Sequence, residues 1–162
     1  MKRNIRLVLL GELLLFVALF IFNLLICTED FWGAFACFLD IPSLLLILLI
    51  LIPGLMIFGE WKNFTKAFSV GIKEYSLLEL KNIIQAIKAA QILTILAALF
   101  AILTSIVIVL INLFDTSLIG PNLAVCILSG FYAAIIEYFL LPLRLNTEHK
   151  MNEEMDFEDE SI

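Results

Sequence analysis

Four long apolar runs dominate this chain, at residues 5–26, 41–58, 91–113 and 122–143. Each holds 18 residues or more. A helix rises about 1.5 Å per residue, so each run reaches across a hydrocarbon core of about 30 Å. Backbone polar groups in lipid must be paired internally, and runs of this length do so as helices. The expected fold is therefore an all-α integral membrane protein with four transmembrane helices. Composition agrees: 62% of the 162 residues are hydrophobic, and the mean hydropathy is +1.06. Pro53-Gly54 falls inside the second run and predicts a kink or a weakened end there.

The direction of insertion comes from the ten basic residues. Lys2, Arg3 and Arg6 precede the first run; Lys62, Lys66, Lys73, Lys81 and Lys88 separate the second from the third; Arg144 and Lys150 follow the fourth. The two other connections carry no Lys or Arg. The positive-inside rule then places both termini and residues 59–90 in the cytoplasm. Trp61 on that side, and Phe31, Trp32 and Phe35 on the other, suit interfacial aromatic belts. A basic start before an apolar run also resembles a secretory leader. The run is too long for one, contains Glu12 and lacks a small-x-small cleavage site, so a retained helix is expected.

The chain divides into a membrane domain, residues 1–146, and a tail, residues 147–162. The tail carries Glu148, Glu153, Glu154, Asp156, Glu158, Asp159 and Glu160 against Lys150 alone, and its low apolar content predicts disorder. Within the cytoplasmic insert, Ser76-Leu77-Leu78-Glu79 has the capping-box pattern. Leu77, Leu80, Ile84 and Ile87 then recur at helical spacing, opposite Glu79, Lys81, Gln85 and Lys88. An amphipathic helix running straight into the third span is expected. It would lie on the membrane surface or against a neighbouring subunit.

No nucleophile–histidine arrangement, phosphate-binding glycine loop or metal-ligand cluster is visible, so neither an enzyme nor a cofactor or metal is expected. His149 sits in the polar tail. No basic face outside the membrane-flanking positions suggests nucleic-acid binding. Cys27 and Cys37 both fall near the outer surface, as a disulfide or as free thiols, and Cys126 lies in the fourth run.

The residues that stand out chemically are carboxylates inside apolar runs. Glu12 lies six residues past Arg6, and Glu137 seven before Arg144. Each is thus about 10 Å along its helix from the cytoplasmic end. An ionised carboxylate facing lipid is costly, which leaves two readings. Either the two acids form a proton or cation relay at a shared level, or each bends to the interface and meets a basic side chain. Thr104, Ser105 and Ser129 are the hydroxyls that would line a polar path. Their alternative is to bond the preceding helical turn. Asp40-Ile41-Pro42 reads as an N-cap with proline in the first turn, Asp115 as a helix start or loop end, and Gly120-Pro121 as the start of the fourth span.

Two stretches together resemble MotA-type flagellar stator proteins of the MotA/TolQ/ExbB proton channel family. Phe38-Leu39-Asp40-Ile41-Pro42-Ser43 is similar to the F-x-D-x-P-S start of that family's second helix. Ile119-Gly120-Pro121-Asn122-Leu123-Ala124-Val125, then Tyr132 and Leu141-Pro142-Leu143, resembles its last helix; Asn112 and Asp115 also fall at matching places. The resemblance implies a homo-oligomeric subunit, pentameric in that family, in the bacterial cytoplasmic membrane. It implies a MotB-like single-span partner and proton or cation flow coupled to that partner. The chain departs from the family in several places. The rotor-engaging cytoplasmic domain is reduced to a short insert, Ala101-Ile102 replace a glycine–threonine pair, and Ser129-Gly130 replace two threonines. The spacing from Tyr132 to Pro142 is one residue short. A shortened relative that keeps the membrane scaffold is expected. A small proton-coupled transporter using Glu12 and a non-conducting structural or regulatory membrane protein are the alternatives.

Overall fold

The computed structural model describes residues 5–27, 30–70 and 72–160, with every side chain there except those of Arg6, Cys27, Thr116 and 157–160. Lys2 and Arg3, used above for orientation, lie outside the described residues. Six helices follow in order: α1 (Ile5–Cys27), α2 (Phe31–Cys37), α3 (Ile41–Ile57), α4 (Trp61–Ala67), α5 (Leu77–Ile111) and α6 (Thr116–Glu160). Among the described residues there is no strand beyond an isolated bridge between Val70 and Lys73. Among the described residues four segments are long and apolar enough to cross a membrane: Leu7–Ile26, Phe31–Ile57, Leu77–Ile111 and Ser117–Asp156. The chain is a multi-pass membrane protein.

Local chemistry explains most helix ends. Asp30 caps α2 by accepting the Gly33 amide at 3.0 Å. At the far end of α3, Gly59 takes φ 73°. Its amide bonds the Met56 carbonyl at 3.0 Å, and the next amide, of Glu60, bonds the Leu55 carbonyl at 2.9 Å. This paired closure needs a left-handed residue, which glycine adopts without strain. Pro53 is accommodated inside α3, which continues to Ile57. Beside it, a Cβ on Gly54 would come within 2.9 Å of Leu93 Cδ1, so α3 and α5 touch closely at this glycine.

Ser76 caps α5, and Glu79 completes the reciprocal capping box. Lys66 Nζ donates to Glu79 Oε1 at 2.9 Å and lies over the Tyr75 ring, tying α4 to the first turn of α5. Glu79 lies well before the apolar run that begins at Gln91. Lys66 foremost, with the Ser76 amide, holds its carboxyl below the ordinary range. That contribution is present above the ordinary carboxylate pKa and is lost as pH falls below it; exposure keeps it small. From Ser76, α5 runs without interruption through the third span.

On the insert side, Leu80, Ile83, Ala86, Ile87 and Ala90 of α5 are fully buried. Leu80, Ile83, Ile87 and Ala90 belong to a core shared with Ile5, Leu51, Leu55, Ala67, Val70, Leu140 and Leu143. The chain's own elements therefore cover this face, in place of the membrane surface or a second subunit. Beyond that core α5 and α6 form an antiparallel hairpin through small residues. Ala97, Ala98, Ala101 and Ser105 on one side and Ser129 and Ala133 on the other are buried. A Cβ on Gly130 would lie 3.9 Å from Ile102 Cδ1. Without a hydrophobic force between helices in lipid, close backbone approach of this kind is what holds them.

Two expectations need correction at α6. The fourth helix begins at Thr116, before Gly120-Pro121, because Asp115 accepts the Ser117 amide at 3.1 Å and caps it there. Pro121 sits inside the helix. The tail expected to be disordered is also helical, to Glu160. Leu140, Leu143, Thr147 and Met151 fall at helical spacing and carry α6 onto the core. Ion pairs four residues apart, Arg144–Glu148 at 2.9 Å and Lys150–Glu154 at 3.0 Å, support the outer face. Cys37 and Cys126 are free thiols. The Cys27–Cys37 pairing considered above involves a side chain outside the described residues.

Candidate functional site

At the break between α2 and α3 the chain brings together residues about ninety positions apart. Tyr132 of α6 accepts the Asp40 amide at 2.8 Å and donates its hydroxyl proton to the Phe38 carbonyl at 2.5 Å. One phenol thus bridges two backbone groups that lie between helices and have no helical partner there. Asp40 is the N-cap residue of α3, but its carboxylate makes no backbone cap bond; it accepts the hydroxyl of the buried Ser43. Pro42 lies in the first turn, where no donor is lost. Phe20 of α1 packs on Phe38 at 5.2 Å and on Phe131 at 6.1 Å between ring centroids, and Phe38 on Phe131 at 5.4 Å. These rings pack beside the site on its α1 side and leave it part-buried.

Of the stretches carrying the family resemblance, Phe38, Asp40, Ser43 and Tyr132 meet here. Pro142 does not: it lies in the interior of α6 at the insert end. Asn112 donates its side-chain amide to the Ile108 carbonyl at 2.9 Å within its own helix. Asp115 and Pro121 serve the start of α6, and Gly120 faces open space.

The two intramembrane carboxylates lie apart. Gln91 of α5 donates to Glu137 Oε2 at 2.9 Å, while Oε1 is buried with no hydrogen-bond partner among the described residues. Arg144 bonds Glu148 instead of Glu137. Phe16 of α1 packs against Tyr138 and Phe139 with centroids 6.1 and 6.2 Å away. Glu12, one turn lower, therefore stands near Pro142, about 8 Å of helix rise from Glu137. There it lines a cavity with Leu141, Pro142 and Leu145. In this register the two acids are offset along the bundle.

No family model, curated protein or solved structure matches this chain. Its function must be read from these contacts.

Three hydroxyls of the third and fourth spans bond within their own helices. Ser129 is buried and donates to the Val125 carbonyl at 2.8 Å. Thr104 donates to Phe100 at 2.8 Å from an exposed face of α5. Thr94 donates to Ala90 at 2.9 Å. Each hydroxyl is spent on the preceding turn of its own helix. Among the described residues no three His, Cys, Asp or Glu side chains gather as a metal site. Gln91 was not singled out by sequence reasoning. Its signal is a lone amide on the face that carries Thr94, Ala98, Ala101 and Ser105, a seam that periodicity alone picks out.

Proposed function

We propose that this chain is a shortened MotA/TolQ/ExbB-like membrane subunit that acts as an oligomeric scaffold for a MotB-like single-span partner. The carrying observation is the Tyr132 bridge: the two stretches that support the resemblance interlock, through a phenol spanning the α2–α3 break. Scaffolding is favoured over conduction because Ser129, Thr104 and Thr94 bond their own helices, and Glu137 is held by Gln91.

The subunit sits in the bacterial cytoplasmic membrane with the insert and the C-terminal end of α6 inside. Lys62, Lys66, Lys73, Lys81, Lys88, Arg144 and Lys150 all attach to that end of the bundle. In a cysteine-free background, Lys62→Cys should label with an impermeant maleimide only after the cells are opened, and Phe114→Cys in intact cells. The reverse pattern would overturn the orientation.

Extracted in mild detergent, the protein is expected to run as a homo-oligomer, a pentamer by the resemblance. It should co-purify with a single-span protein bearing an intramembrane aspartate. A monomer without such a partner would remove the reading. Glu137→Gln keeps an acceptor for Gln91 and removes a carboxylate, so assembly and thermal stability should change by less than about 1 kcal/mol. An intact assembly that loses proton flux in this variant would replace scaffolding with conduction.

A further inference from the structure

Where α4 leaves the end of α3 and meets α5, lysines gather that the fold itself does not use. Lys62, Lys81 and Lys88 are exposed, and among the described residues none of them makes an ion pair, whereas Lys66 is tied to Glu79. One contact fixes where they stand. Glu60, at the head of α4, accepts from Gln85 of α5 at 3.5 Å through Oε1 and from Asn63 at 3.0 Å through Oε2. Lys62 lies two residues beyond Glu60, while Lys88 and Lys81 lie about one turn of α5 to either side of Gln85. Three lysines thus attach within about a turn of one carboxylate, both of whose oxygens already accept amide protons.

Their level along the bundle decides what can cover them. Gln91 opens the apolar run of α5, and Lys88 stands three residues before it, about 4.5 Å of helix rise. The polar layer of a bilayer is about 5–7 Å deep on each side, so Lys88 sits among lipid headgroups. Lys62, held near Gln85, reaches the same layer along its flexible stem. Trp61 beside it is half-exposed, as an interfacial side chain is. Toward the bilayer, α3 and α5 touch at Gly54 and Leu93, and Ile57 and Ile92, both exposed, lie within a turn of that seam. A second copy fits these lysines poorly. Copies spanning one bilayer share levels, and the acids of α6 beyond Arg144 begin at Glu148, eleven residues past Glu137 and about 16 Å further from the bilayer.

We propose that Lys62 and Lys88 bind the phosphate of an anionic phospholipid, with its acyl chains along Ile57 and Ile92. Positive charge held at headgroup level attracts anionic lipid, and the exposed apolar side chains below receive its tails. The site is independent of the scaffold reading, because neither lysine takes part in the Tyr132 bridge.

The test uses the full chain carrying Trp32→Phe, which leaves Trp61 as its only tryptophan. Reconstituted in vesicles, it reports nearby lipid by quenching with brominated acyl chains. Brominated phosphatidylglycerol is expected to bind about tenfold more tightly than brominated phosphatidylcholine, and Lys62→Gln or Lys88→Gln to lower that preference about threefold each. Lys88→Arg should restore it. Lys73→Gln should leave it unchanged, because Lys73 stands on the side of the insert that faces α1 and α6. Equal binding of the two lipids, unchanged preference in Lys62→Gln and Lys88→Gln, or an equal loss in Lys73→Gln would overturn the proposal. So would an oligomer that falls apart in Lys62→Gln and Lys88→Gln while the lipid preference stays, since the lysines would then serve a second copy.

Discussion

Replacing Tyr132 by phenylalanine is expected to lower the stability of the purified protein by about 3 kcal/mol while leaving its helix content intact. The ring and its contact with Phe131 remain; only the hydroxyl is removed. That oxygen serves the Asp40 amide at 2.8 Å and the Phe38 carbonyl at 2.5 Å. The break between α2 and α3 removes the ordinary helical partners of both groups, and both bonds are part-buried beside the rings of Phe20, Phe38 and Phe131. An unsatisfied buried backbone group costs about 1–3 kcal/mol, so two of them set the expected size. Thermal unfolding in detergent, followed by circular dichroism, reads the change. A loss below about 0.5 kcal/mol would mean that water or other groups reach the break, and the bridge would lose its structural meaning. The same variant bears on function: if the bridge aligns α3 with α6 for a partner helix, oligomer yield should fall along with stability.

Much of this architecture was legible in the residues because it rests on short-range rules. Apolar length marked the four spanning segments, and the Ser76–Glu79 pair marked the start of α5. Asp40 was recognisable as an N-cap residue, although its carboxylate turns to the Ser43 hydroxyl instead of a backbone amide. Contacts distant in sequence were not legible. Nothing local links Tyr132 to Phe38, or Gln91 to Glu137, since each pairing depends on how α6 docks. The tail misled for a related reason. Its composition reads as solvated chain, but buried Thr147 and partly buried Met151 continue the stripe of Leu140 and Leu143, which only the neighbouring core makes worth forming. Glu12 and Glu137 looked equivalent by their distance from the nearest arginine; helix register separates them.

The second large effect is expected at the α5–α6 seam, where Ala101→Leu should cost about 3 kcal/mol and Ser129→Ala about 0.5 kcal/mol or less. Ala101 is 4% exposed and Ser129 fully buried, so size alone does not separate the two sites. What separates them is what each substitution changes. In α5 the seam repeats small residues at 94, 97, 98, 101 and 105, which lets the backbones approach closely. A leucine at 101 adds three carbons where no space exists. It must push α6 away along the seam, losing dispersion contacts at Ser129 and Ala133 as well as its own. Ser129→Ala removes one oxygen whose hydrogen bond, to Val125, lies within its own helix. Alanine leaves that carbonyl with its ordinary helical amide partner, so little is lost. A large cost at Ser129 would show that its hydroxyl serves something across the seam, and would reopen the polar path that scaffolding excludes. A small cost at Ala101 would mean that the hairpin is loosely packed, which would count against the proposed scaffold role.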